Sequence, residues 1–170
     1  MVDVMRVLRE RENHAVASIE AAFPLDAPPT ASEMQNDHCP ECAEVSALFA
    51  GRRWDDIRVV DLVGNPSVSF LTGAGFRYYL PALMLRCIEA PVEVDCVPLS
   101  VLGRLSPPGG KPNAKLAELR ASFDPARIGA VHAFLLVLEA REKIDWYPPE
   151  AFDSVPPSKG LARALAYWSD

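Results

Sequence analysis

The residues best suited to chemistry are His38-Cys39-Pro40-Glu41-Cys42. Two thiols two residues apart can both reach one tetrahedral zinc, at about 2.3 Å each. The same spacing at a helix N-terminus lowers a thiol pKa and favours the thiolate, the starting point of dithiol chemistry. A third reading is packing alone, because cysteine behaves as a small apolar residue. Structural zinc needs two further ligands. His38, Cys87, Cys96 and His132 are candidates, but the chain has no second C-x-x-C and no H-x3-H pair. Dithiol proteins of the thioredoxin type place the motif after a strand. Here a proline-rich loop precedes it, and Glu41 and Glu44 oppose a thiolate. Packing is therefore favoured. The metal alternative is zinc held by Cys39 and Cys42 with His38; otherwise no cofactor is expected.

Arg77 is the second candidate. It lies in an apolar run, and a charge there needs a partner. Asp55, Asp56 and Asp61 are the expected acids, and an ion pair is favoured over anion binding. Asp55 and Asp56 themselves suit a solvated helix start better than a catalytic pair. His14 and His132 are expected to pack. No G-x-S-x-G, P-loop, H-E-x-x-H or dinucleotide fingerprint is present.

The stretch that must position these residues is Ser67–Ala90. Thr72 is a good N-cap. Phe76, Tyr79, Leu80, Leu83, Cys87 and Ile88 recur at helical spacing, and Tyr78, Met84 and Leu85 widen the apolar face. Pro81 should kink this helix near residues 77–80. Arg77 and Arg86 interrupt the run, so no membrane span is expected.

Before it, a helix is expected over residues 3 to about 23, stopped by Pro24. A loop follows to residue 37. Pro40 fits the first turn of a second helix, ended by Gly51. Residues 54–62 predict a short helix ended by Gly64-Asn65-Pro66. After the central helix, residues 91–105 are ambiguous, and a short helix is favoured over a strand that would have nothing to pair with. Ala114–Phe123 predicts another. Asp124-Pro125 is the clearest helix start in the chain, and that helix should reach about Lys143. Residues 145–170 read as a proline-rich connector and a short C-terminal helix. The expected fold is all-α, a single domain over residues 1–170 built around a kinked central helix at about 72–90 and a second long helix at about 125–143.

HCPEC, the F-x-G-x-x-W of Phe49–Trp54 and LTGAGFRYYLPA at 71–82 resemble a family of bacterial proteins known only as a domain of unknown function. Its members look like small soluble chains joining a C-x-E-C motif, a W-x-x-I segment and an FRYYLPA segment. The resemblance covers roughly residues 15–140. Gly73 and Gly75 stand where a stronger helix start is expected, which loosens the first turn. The resemblance supports the architecture and draws attention to Cys39 and Cys42, but implies no substrate.

With 170 residues the chain can bury a real core. The net charge is −6, and residues 24–66 alone contribute −5. Such a chain does not attract a phosphate backbone, so no nucleic acid is expected. Acidity favours a basic protein partner or a cation, although it more often serves solubility. Four cysteines in this length do not suggest a disulfide-stapled secreted domain. The charged N-terminus has no continuous apolar run, so no signal peptide is expected and the chain is read as cytoplasmic. The composition and motifs favour a protein-binding module without catalysis. Oligomeric state and partner identity are not written in the sequence.

Overall fold

The computed structural model describes residues 3–34, 40–64 and 66–169, with the side chains of residues 66 and 67 left aside. Its α-helices are α1 (Val4–Ala22), α2 (Ala31–Met34), α3 (Pro40–Phe49), α4 (Val59–Leu62), α5 (Gly73–Glu89), α6 (Val97–Leu105), α7 (Ala114–Ala121), α8 (Pro125–Trp146) and α9 (Lys159–Trp168). Among the described residues there is no strand, and the fold is all-α. No described helix is long and apolar enough to cross a membrane. The chain divides into two compact units: residues 23–104, and residues 1–22 with 105–170.

In the unit of residues 23–104, α5 is the core element. From Tyr79 to Leu85 every side chain is buried. Thr72 caps the helix as expected, its Oγ1 accepting from the Gly75 N–H at 3.0 Å. The helix runs on through Pro81 to Glu89. Gly75 does not loosen the first turn: it is buried, and an added Cβ would lie 3.3 Å from Thr72 Oγ1 and 3.6 Å from Met34 Cγ.

Met34 belongs to α2, inside what the composition suggests is a plain loop. Thr30 and Glu33 close this one-turn helix. The Thr30 N–H donates to Glu33 Oε2 at 2.7 Å, and the Glu33 N–H points back to Thr30 Oγ1 at 3.4 Å. This is a capping box. The Thr30 N–H, and the Thr30 hydroxyl that donates to the same oxygen at 2.7 Å, hold the Glu33 carboxyl below its ordinary pKa. The expected helix over 54–62 is two short pieces, a 3-10 turn at Trp54–Asp56 and then α4. Residues 91–96 are turns, and the favoured short helix follows as α6.

In the other unit, α8 packs along α1 and against α9. Asp124 caps α8 as its sequence demands, its Oδ1 accepting from the Arg127 N–H at 2.8 Å. Polar side chains between α1 and α8 are paired: Arg11 with Glu139 at 2.9 Å, and Arg141 with Glu12 at 2.7 Å. Trp168, fully buried at the end of α9, donates its indole N–H to the Leu105 carbonyl at 2.8 Å. His132 is half-buried on α8, whereas His14 is exposed on α1.

Candidate functional site

His38 and Cys39 lie outside the described residues. Cys42 is the third residue of α3 and buried on its inner face with Val45, Ser46 and Phe49. Cys87 is buried in α5 and Cys96 is half-buried in the turns before α6. Among the described residues no three His, Cys, Asp or Glu side chains are grouped to hold a metal.

Arg77 departs from expectation. It is exposed, as is Gly73 one helical turn before it. The acids expected to pair with it are engaged elsewhere or carry no bond to it. Arg53 holds Asp55 with two bonds, at 2.9 and 2.6 Å. Arg52 holds Asp61 at 2.8 Å, and the Arg58 N–H donates to the same carboxylate at 2.8 Å. The bond from Arg52 is the main reason that the Asp61 carboxyl is pulled down to about 2, against the opposing effect of burial. Arg77 lies on the outward side of the helix, so it needs no protein partner.

An inward-turned cation of this unit is Arg104, at the end of α6. Its guanidinium stands 4.0 Å from the centre of the Phe76 ring and donates to the Leu71 carbonyl at 2.7 Å. Burial works against its charge and pushes the group down to about 10. Nothing in the apolar pattern of residues 91–105 marks it.

The F-x-G-x-x-W and FRYYLPA segments meet here in structural roles. The Tyr79 hydroxyl reaches the carbonyls of Phe49 and Arg52, at 2.5 and 2.8 Å. The tyrosine and Phe49 rings also touch, with centroids 4.7 Å apart. Tyr78 donates to the Asp26 carbonyl at 2.7 Å, and the Trp54 indole N–H to the Pro24 carbonyl at 3.1 Å. Gly51 turns the chain between Phe49 and Trp54 with φ +72°, a conformation that favours glycine. These motif side chains are occupied in hydrogen bonds to backbone carbonyls of residues 24–52, as buried polar groups require.

A surface of different character is built in the other unit, at the C-terminal end of α8. The helix runs to Trp146, past the expected end near Lys143. Trp146 is 77% exposed and Tyr147 41%. Together with Glu142 they form one wall of an open groove of about 410 Å³, and Pro156, Pro157, Ser158 and Lys159 form the other. Two anchors fix the strap between the walls. Phe152 is buried beneath it, with the Lys143 ammonium 5.5 Å and the Arg11 guanidinium 5.9 Å from its ring centre. The Ser158 N–H donates to Glu142 Oε1 at 2.6 Å, tying the start of α9 to α8. Lys143 in turn donates to Glu139 at 2.9 Å. Burial pushes the Glu139 carboxyl up, but the bonds from Lys143 and Arg11 outweigh it and leave the group below its ordinary value.

Trp146 and Tyr147 do not enter the sequence-based site. The signal that could have found them is a pair of large aromatics directly before Pro148-Pro149, in a polar stretch that offers no apolar periodicity to bury them.

A model of a family of unknown function, DUF6714, matches residues 15–168. The match extends beyond the Phe49–Trp54 and FRYYLPA segments and takes in the groove. No curated protein matches the chain. No solved structure matches it either.

Proposed function

The chain belongs to DUF6714, a family without an established activity, and from its own surface we propose that it is a protein-binding module that docks a partner in the groove beside Trp146. The observation that carries this is the exposure of Trp146 next to Tyr147 in a preformed groove. Exposing an indole to water gives up a large apolar burial, and Trp and Tyr are the residues that most often anchor protein interfaces. The proline-stiffened strap fixes the groove before a partner arrives, which lowers the entropy lost on binding. Net negative charge supports a protein partner over nucleic acid. Sparse cysteines support a cytoplasmic setting.

The test is co-purification from source cells with wild-type chain, Trp146→Ala and Arg77→Met. A stoichiometric partner should accompany wild type and Arg77→Met. In calorimetry with the purified partner, Trp146→Ala should bind at least about ten-fold more weakly, a loss typical of an interface anchor. A partner held equally by all three chains would contradict the docking site.

A second reading is a structural zinc or dithiol site through Cys39 and Cys42, with His38. The position of Cys42 in the first turn of α3, two residues after Pro40, supports it, because a C-x-x-C pair at a helix start can bring both sulfurs to one tetrahedral ion. Elemental analysis of the purified chain tests it. About one equivalent of zinc supports the metal form. A reversible Cys39–Cys42 disulfide under mild oxidant supports the redox form. Neither result leaves Cys42 as packing.

A further inference from the structure

We propose that the occupant of the Trp146 groove is a proline-rich segment of the protein partner, held as an extended polyproline II helix. This rests on the docking role proposed above and adds its chemistry. The described residues that line the groove include no Leu, Ile, Val or Met. An amphipathic helix therefore finds no apolar pockets for the face by which such helices dock. Among the described residues there is no strand, so no sheet edge is open to an added one. Lys159 is the only cation among the described lining residues, whereas phosphate-reading sites use clusters of arginine. The remaining common mode is an aromatic groove that takes a polyproline II segment, and the exposed Trp146 and Tyr147 supply its aromatics.

The polar groups of the lining agree. The Trp146 indole N–H, the Tyr147 hydroxyl and the Lys159 ammonium make no hydrogen bond or ion pair among the described residues. An indole N–H and an ammonium can only donate. The carboxylate in the lining, Glu142, is already engaged, its Oε1 accepting from the Ser158 N–H at 2.6 Å. The aromatic wall thus offers donors and calls for an occupant with bare carbonyls. A polyproline II helix makes no internal hydrogen bonds, so its carbonyls stay open. Each proline also removes an N–H that this wall would leave unpaired. A segment without proline would bring one N–H for every carbonyl. Such a helix is stiff before it binds, as is the strap of Pro156 and Pro157 on the opposite wall, and little freedom is lost when the two meet.

The experiment uses three uncharged twelve-residue peptides with blocked ends. One is built of proline and alanine, about four turns of polyproline II helix. One is built of glycine and serine, and one is a helix former of alanine and glutamine. Each is titrated by calorimetry into the full chain, Trp146→Ala, Trp146→Phe and Tyr147→Phe. Circular dichroism and urea midpoints confirm that the variants are folded. The proline peptide should bind at least about ten-fold tighter than the other two, and Trp146→Ala should weaken it at least about ten-fold. Trp146→Phe and Tyr147→Phe keep a ring and lose a donor, so each should weaken it about three-fold or more. Equal binding of all three peptides, lost in Trp146→Ala, would overturn the proline chemistry and leave the docking role standing. Binding of the proline peptide indifferent to Trp146 would overturn the proposal. So would no binding by any peptide, and the co-purification test above then decides the docking role by itself. A dimer in sedimentation that Trp146→Ala abolishes would make the occupant a second copy and overturn the proposal.

Discussion

The Tyr79 hydroxyl meets the backbone carbonyl of Phe49, thirty positions earlier in the chain, and the two rings lie 4.7 Å apart. One side chain thereby closes the C-terminal end of α3 and seats it against α5. Tyr79→Phe keeps the ring and removes the donor. It leaves the Phe49 and Arg52 carbonyls without that hydroxyl in a buried place, which should cost about 1–3 kcal/mol. The urea midpoint should fall with little change in slope. An unchanged midpoint would show that other donors serve those carbonyls.

Asp61 makes stability depend on acid. Its carboxyl titrates near 2 in the folded chain, below its ordinary 3.8, because Arg52 and Arg58 favour the charged form. A depressed carboxyl stabilises the fold above its unfolded pKa, and that contribution is lost as pH falls through the folded one. Wild type should therefore lose stability between about pH 4 and 2. Asp61→Asn should be less stable at pH 7 by about 1–2 kcal/mol, after screening by solvent, and should show a smaller further loss over that window. Parallel pH profiles of urea midpoints for the two chains would contradict this.

Arg104 and Arg77 should respond unequally to removal of charge. Arg104 bonds a loop carbonyl and covers Phe76, so Arg104→Met should destabilise by about 1–3 kcal/mol, chiefly by leaving the Leu71 carbonyl unpaired. Arg77 is exposed, with no ion-pair partner among the described residues, so Arg77→Met should stay within about 0.5 kcal/mol of wild type. Equal losses in the two variants would mean that Arg77 is not simply solvated.

This contrast also shows how far the sequence carries. Helical period and caps made the architecture readable: Thr72 and Asp124 start α5 and α8 where their side chains can accept the first N–H groups. Both arginines sit in apolar surroundings of sequence, but only three-dimensional packing decides which one turns inward. The α2 turn carried a readable signal in Thr30-x-x-Glu33, hidden by the prolines before it. The groove was less legible. No glycine stops α8 after Lys143, and whether Trp146 is buried depends on how the strap is pinned by Phe152, a contact that periodicity does not encode.

The indole N–H signals of the three tryptophans test the central claim most directly. Trp54 and Trp168 are buried and donate to Pro24 and Leu105, whereas Trp146 is exposed. In a nitrogen–proton correlation spectrum, with each signal assigned by substitution, the purified partner is added stepwise. The Trp146 signal should move in proportion to occupancy while the signals of Trp54 and Trp168 stay in place. A stationary Trp146 signal, with shifts confined to Trp54 or Trp168, would contradict docking at this groove.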